Sequence, residues 1–512
     1  MFSKVKSFSV VGIQAYPIDI EVDISAGLPQ INVVGLPDST VKESKERIRS
    51  AIKNCDFKYP TQRITINLAP ADIKKEGSCL DLPIALGILA ASGLINEDNL
   101  AKYAFIGELS LNGTLRPVKG TLPIAMTIAK KGLCELILPK QNAFEAAVIK
   151  RLNVYPITNL KEAVNFLNEQ TDLKSVSVST DDLLKHTSEY PFDFSEVKGQ
   201  HQIKHGLEVA VAGSHNCLLI GPPGSGKTML ARRIPTIMPD MTLEESLETT
   251  TIHSVLGLVP SELGLVIHRP FRSPHHTSSD IALVGGGTLP KPGEISLAHN
   301  GVLFMDELPE FHRDCLEALR QPLEDGLVSI ARASQSLKFP SKFMLVAAMN
   351  PCPCGYYTDP KKTCRCTTPK IQKYLSKISG PLLDRIDIHL EVPSLAYKEL
   401  TQETPAEPSK TIKERVNKAR EVQLKRFNQE KIYANSQMDQ KQLKKFCSLD
   451  NEAKDLLKMA IEQLGFSARS YDKILKVSRT IADLQAREQI CSEHIAEAIQ
   501  YRSLDRNLWT GQ

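Results

Sequence analysis

The sequence has no long hydrophobic run. Its longest apolar stretch, Leu82–Ile95, is broken by Gly87, Ser92 and Gly93 and falls short of the ~20 residues needed to cross a bilayer. The opening residues, MFSKVKSFSV, carry neither the apolar segment nor the small-residue cleavage site of a secretory signal. A soluble, cytoplasmic protein without a membrane partner is expected. A surplus of one charge is also missing: 63 Lys and Arg face 59 Asp and Glu, a net charge of +4. No global basic field therefore draws the chain to nucleic acid, and any such patch must be local. No internal repeat occurs at solenoid periods. Of the 11 cysteines, Cys55, Cys79, Cys134, Cys217, Cys315, Cys447 and Cys491 are scattered and read as reduced thiols of a cytosolic protein.

What is present is globular material: 512 residues, 42% apolar and 24% charged, enough for about three domains. Residues 1–168 alternate strand-like runs (Phe8–Val11, Ile18–Ile24, Arg63–Leu68, Glu135–Leu138) with helix-like ones (Ser39–Lys53, Leu82–Ser92, Leu122–Lys131), an α+β pattern. Residues 169–190 are polar, rich in Ser and Thr, and read as a linker. The block 191–395 mixes apolar strands such as Asn216–Ile220 and Gly301–Met305 with helices. A second linker, 396–410, is rich in Thr, Glu and Pro, and 411–512 has helical periodicity broken by a Gly-Phe-Ser step at 465–467. The expected fold is multidomain α/β with a helical C-terminal domain.

Gly221, Pro222, Pro223, Gly224, Ser225, Gly226, Lys227 and Thr228 spell GPPGSGKT, which satisfies every fixed position of G-x-x-x-x-G-K-[ST]. The apolar run Cys217–Ile220 precedes it and helix-like Met229–Ile234 follows. Glycines let backbone N–H groups converge on phosphate oxygens. Lys227 would bring positive charge to the β- and γ-phosphates, and the Thr228 hydroxyl would hold Mg²⁺. The alternative is a chance glycine-rich loop. Downstream, GVLFMDEL (301–308) is an apolar strand ending in two acids. Asp306 would hold Mg²⁺ through water and Glu307 would orient and deprotonate the attacking water; alone, such a strand also fits solvated acids. Phe343–Met349 ends in Asn350, a polar amide in the position of a γ-phosphate sensor, or a plain Asn-Pro turn with Pro351. ATP and Mg²⁺ are the cofactors these residues call for.

Cys352, Cys354, Cys364 and Cys366 form a C-x-C…C-x-C pattern with nine residues between the pairs. Four thiolates on a turn-rich loop can close around a structural Zn²⁺; free thiols are the alternative. Lys361, Lys362 and Arg365 make the loop basic.

The runs HRPFRSPHHTSSDIALVGGG (268–287), GEISLAHNGVLFMDELPEF (293–311) and LLDRID (382–387) resemble the magnesium-chelatase-like AAA+ proteins of the ComM/YifB type, and the resemblance covers essentially the whole chain. It implies an AAA+ P-loop core with a helix-2 insert, a C-terminal helical lid and a homohexameric ring. It further implies branch-migration helicase activity on single-stranded or branched DNA during natural transformation. By the same resemblance Arg385 is an arginine finger reaching a neighbouring subunit, and Arg469 in FSARSYDK is the sensor-2 residue, with Arg479 as a rival. Pairing with a local carboxylate is the other reading of each. DNA would be gripped by loops in 255–292 and by the hairpin around Leu327–Phe343, with Arg332 and Lys338 as cations; a solvated strand charge is the alternative for each. His268, Arg269, Arg272, His275 and His276 read as a packed insert.

Residues 1–168 resemble the ribosomal-S5-like domain shared with Lon proteases, through KKEGSCLDLPIALGILAASG (74–93) and FIGELSLNGTLRPVKG (105–120). Ser78 would be the serine, but Leu122 stands where the family carries its lysine and Lys119 lies about three residues early. A nucleophile without its base argues against proteolysis. The expectation is an ATP-hydrolysing ring motor on DNA, the alternatives being an AAA+ protein remodeller or a chelatase-type ATPase subunit.

Overall fold

The computed structural model describes residues 1–72, 75, 77–185, 190–287, 290–331, 336–357, 359, 362–394, 406–430 and 432–502. They form two compact units, one of Met1–Thr187 with Thr242–Ile267, the other of Ser188–Met241 with His268–Gln512.

The first unit is built on a mixed seven-stranded sheet. Its strands are β1 (Phe2–Val11), β2 (Gln14–Ser25), β3 (Gln30–Val34), β4 (Arg63–Ala69), β5 (Ala104–Phe105), β6 (Glu135–Pro139) and β7 (Asn153–Ile157), in the order β3-β4-β2-β1-β5-β6-β7. Strands β1 and β2 pair antiparallel around Gly12, whose φ of 63° suits a tight turn. Along β2, Ile18, Ile20, Val22 and Ile24 are buried, the period of two that puts one face on a core. Helix α1 (Ser39–Asn54) starts where the Asp38 side chain accepts the Val41 N–H at 2.8 Å. The apolar run of the sequence is helix α2 (Asp81–Ala91), every residue of which is buried. A helix enclosed on all sides has no polar face, so its run shows no amphipathic period. Gly87 is needed for that enclosure, because a Cβ there would stand 2.8 Å from Val22 Cγ2.

Residues 242–267 sit in the first unit although they lie inside the 191–395 block of the sequence. Their helix, Leu243–Ser254, opens with a reciprocal cap: Thr242 N–H to Glu245 at 2.9 Å and Glu245 N–H to Thr242 Oγ1 at 3.2 Å. At its other end the Ser254 carbonyl accepts the Gly120 N–H at 2.9 Å. The Ser254 hydroxyl donates to the buried Glu145 carboxylate, which also accepts the Leu122 N–H at 3.0 Å. Burial pushes the Glu145 carboxyl up, against those hydrogen bonds. Leu243, Leu247, Leu265 and Ile267 pack with Leu122 and Val148.

The second unit holds a parallel five-stranded sheet. Helix α3 (His201–Gly213) leads into β8 (Cys217–Ile220) and helix α4 (Lys227–Ile237), followed by β9 (Phe271–Arg272), β10 (Val302–Met305), the hairpin β11 (Leu327–Ala331) and β12 (Ser336–Pro340), then β13 (Met344–Met349) and β14 (Ile388–Glu391). The sheet order is β9-β10-β13-β8-β14. Strands β8, β10 and β13 are buried at every residue, as expected of parallel strands covered on both faces. Helices α5 (Ser409–Arg426), α6 (Asn451–Leu464), α7 (Ala468–Leu484) and α8 (Ser492–Gln500) share one apolar core with this sheet: Val416, Leu457, Ile481 and Ile495 join Leu219, Phe304 and Val346. Among the described residues, no helix is long and apolar enough to cross a membrane.

Candidate active site

Parallel strands end on the same edge, so the residues after β8, β10 and β13 converge, as ligand-binding loops do at the carboxyl ends of parallel strands. After β8, Gly221 donates its N–H to Met349 O at 3.3 Å. A Cβ there would fall 2.1 Å from Val392 O, so only glycine passes. Gly224 and Gly226 take φ of 78° and 91°, left-handed values that curl the loop before α4 begins at Lys227. Lys227 is buried, and its Nζ donates to Gly221 O at 2.7 Å, Pro222 O at 2.9 Å and Asn350 Oδ1 at 3.2 Å. Burial lowers the pKa of its ammonium, opposed by Asp306 and Glu307. Ser225 Oγ is buried without a partner.

After β10, Asp306 Oδ2 accepts the Thr228 hydroxyl at 2.7 Å and its Oδ1 accepts the Glu307 N–H at 3.0 Å. Glu307 has φ 53°, and its half-exposed carboxylate lies 3.3 Å from His276 Nδ1. The donor set suits a nucleotide with a divalent cation: a hydroxyl and a carboxylate side by side are hard oxygen ligands for Mg²⁺, next to a buried ammonium. The structure thus brings Thr228, Asp306, Lys227 and Asn350 together. Two residues that sequence reasoning does not single out for this site also stand here. Gln200 donates its amide to Ser225 O at 2.9 Å, pinning the phosphate loop; its only sequence signal is the Gly199-Gln200 turn before α3. His276 reads in sequence only as packing within the insert.

The arginines are engaged with other partners. Arg385 binds the Glu324 carboxylate and the Pro381 carbonyl. Its sequence neighbours are engaged elsewhere, Asp387 with Lys473 and Asp384 with Arg469 at 3.4 Å. Arg469 is in the first turn of α7 and is well exposed. Arg479 is buried and donates to Glu488 O at 2.6 Å and Asp483 at 3.1 Å, so it is a structural tie within the C-terminal helices. Among the described residues, neither Arg385 nor Arg469 forms an ion pair with the phosphate loop or with Asp306 and Glu307.

In the cysteine quartet all four Sγ atoms lie within 4.8 Å of one another. Cys352–Cys354, Cys352–Cys364 and Cys354–Cys364 are 3.3, 3.7 and 3.6 Å apart. None of them is a disulfide. A tetrahedron with Zn–S bonds of about 2.3 Å has edges of about 3.8 Å, so the thiols fit such an ion.

Of the cations expected to meet DNA, Lys338 is exposed on β12, opposite Ser329 of β11; Arg332 lies outside the described residues. In the histidine-rich stretch 268–287, Arg272 makes a two-pronged pair with Glu294 at 2.6 and 2.7 Å, and Arg269 donates to Asn300 O at 2.7 Å. In the first unit, Ser78 donates to the Glu108 carboxylate, Leu122 is buried, and the Lys119 stem lies against Gly257.

Three family models match the chain: "Subunit ChlI of Mg-chelatase" over residues 20–142, "Magnesium chelatase, subunit ChlI" over 193–400, and "Magnesium chelatase, subunit ChlI C-terminal" over 406–502. The chain is 47% identical over 508 residues to the competence protein ComM of Haemophilus influenzae, covering 98% of each. To the YifB protein of Escherichia coli it is 44% identical over 507 residues, 99% of this chain and 98% of the relative. Lon protease 2 of Bacillus subtilis is 27% identical over 168 residues, 30% of each chain. With its phosphate loop, paired strand-end acids and near full-length identity to these relatives, the chain belongs to the magnesium-chelatase-like AAA+ family of the ComM/YifB type.

Proposed function

We propose that the protein is an ATP-hydrolysing ring motor that moves on DNA, as the competence name of its Haemophilus relative suggests. The observation that carries the hydrolysis is the meeting of Thr228 with Asp306 and of Lys227 with Asn350 at one sheet edge. Lys227 binds phosphate oxygens through its charge, helped by loop N–H groups and the α4 N-terminus. Thr228 and Asp306 would hold Mg²⁺, which would supply charge neutralisation on the phosphates. Glu307 accepts a proton from the attacking water, Asn350 orients the γ-phosphate end, and Arg469 contacts nucleotide from the lid. Arg385 exchanges Glu324 for a neighbouring subunit's nucleotide in a homohexamer. Cys352, Cys354, Cys364 and Cys366 would hold a structural Zn²⁺.

The β11–β12 hairpin, with exposed Lys338 and with Arg332 in the sequence that joins its strands, supports a strand-tracking role, because cations repeated around a ring give salt-dependent, sequence-tolerant grip. The family models favour one second reading, an ATPase subunit of a chelatase. ATPase rates with single-stranded DNA, branched DNA, unfolded polypeptide or no ligand discriminate. Stimulation by DNA alone is expected. Lys338→Glu should keep basal hydrolysis, lose that stimulation, and flatten the slope of log affinity against log salt by about 0.7 for each DNA phosphate no longer neutralised. Stimulation by unfolded polypeptide and not by DNA overturns the DNA reading, whereas a Lys338→Glu protein that DNA stimulates normally moves Lys338 to the solvated surface.

A further inference from the structure

We propose that the cysteine quartet is a metal-held buttress for the phosphate loop, so that occupancy of its thiolates sets nucleotide affinity. This rests on the zinc reading above and adds to it a mechanical connection.

Asn350, whose Oδ1 holds Lys227, is separated from the first thiol only by Pro351, and Cys352 is fully buried. Gly355 then donates its N–H to Cys352 O at 2.9 Å, closing a turn that carries the first and second thiols. Gly355 is left-handed, with φ 84°, and lies against the Pro223 ring of the phosphate loop. A Cβ added to it would stand 2.4 Å from Pro223 Cδ and 2.7 Å from Cγ. The turn that the thiols would clamp is therefore the surface on which Pro223 rests.

Cys364 and Cys366 come from the far arm of the loop, and helix Thr368–Leu375 follows them directly. Among the described residues no disulfide joins the arms, and under the zinc reading the bound ion closes them. Without an ion no bond draws the four sulfurs together, and closing the loop costs chain entropy that metal binding offsets. With the ion in place, Gly355 fixes Pro223 and the adjacent phosphate-binding N–H groups are preorganised. Without it, the loop opens and nucleotide must order Pro223 and its neighbours as it binds.

The test measures zinc per chain and the affinity for fluorescent ADP, in full-length protein with Mg²⁺ present throughout. It compares wild type, wild type stripped by a zinc-selective chelator, Cys364→Ser with Cys366→Ser, and Gly355→Ala. Wild type is expected to carry about one zinc. The stripped protein and the double variant are expected to hold less than roughly a tenth of an equivalent and to bind ADP at least about tenfold more weakly. Gly355→Ala, which crowds Pro223 and also strains the left-handed turn that carries Cys352 and Cys354, is expected to lose comparable affinity, and that loss counts for the buttress where the zinc measured on the same sample is retained. If wild type grown with zinc holds none, the metal reading itself fails. If zinc is present and its removal leaves ADP affinity within about twofold, the ion stays and the buttress is overturned. Should the double variant not fold, the chelation and Gly355→Ala arms decide alone.

Discussion

Thr228 and Asp306 stand 78 residues apart in the chain, and the hydroxyl of one donates to the carboxylate of the other at 2.7 Å. The contact exists because β8 and β10 flank β13 in one parallel sheet. Each contributes the residues just past its own end, so the spacing of the two in sequence is free while their spacing in space is not.

Two substitutions at this edge separate binding from chemistry. Lys227→Ala removes the buried ammonium proposed to meet phosphate and should weaken ATP binding by about a hundredfold or more. Glu307→Gln keeps the shape and removes the proton acceptor, so binding should persist while turnover falls by roughly 10²–10⁴-fold. Equilibrium binding and single-turnover hydrolysis measured on both proteins check this; near-normal hydrolysis in Glu307→Gln would contradict the role assigned to it.

Arg385 is held within its own chain by Glu324 and the Pro381 carbonyl. Arg385→Ala should lose hydrolysis by about 10³-fold or more while keeping nucleotide binding. Mixing it with Lys227→Ala subunits should restore part of the rate, since an intact phosphate loop then faces an intact arginine. Failure of any mixing ratio to recover activity, in rings shown to exchange subunits, would leave Arg385 as a local ion pair.

His205 on α3 lies 3.0 Å from Glu497 on α8 and 3.6 Å from Glu208. Hydrogen bonds to Glu208 and then Glu497 raise its pKa to about 9. A folded value above the unfolded one of about 6.5 means the stabilisation is complete below that unfolded value and is lost as pH rises through about 9. The Tm difference between wild type and His205→Gln should therefore be largest near about pH 6 and shrink to little by about pH 10. Because His205 is half exposed the effect is small. A difference that grows with pH would refute the pairing.

The phosphate loop is legible in sequence because its geometry admits few residues: a Cβ at Gly221 meets a carbonyl, and Gly224 and Gly226 are left-handed. Asp306 and Glu307 are legible as acids closing an apolar strand. Gln200 and His276 are not, since each reaches the site only through tertiary approach, the first to a carbonyl 25 residues away. Arg385 illustrates the same limit: its neighbours in sequence, Asp384 and Asp387, are carboxylates, yet the one it binds is Glu324, 61 residues back. Helix α2 is visible as a helix from its length. The docking of 242–267 is invisible, because Ser254 meets Glu145 across 109 residues and both read as ordinary surface polar residues.

That docking has a consequence for biosynthesis. The chain leaves the second unit after Met241 and returns to it at His268, so the first unit is completed by a segment the ribosome makes after the phosphate loop and its helix. Residues 1–187 must wait, with Leu122 and Val148 awaiting Leu243, Leu247 and Leu265, while later sequence emerges. Conversely, a polypeptide begun at Ser188 to isolate the ATPase half would carry those leucines with nothing to cover them, and such exposed apolar segments drive association between chains. Cutting this protein at its apparent linker would give an aggregation-prone fragment, whereas the same fragment with 242–267 replaced by a short polar loop should stay dispersed.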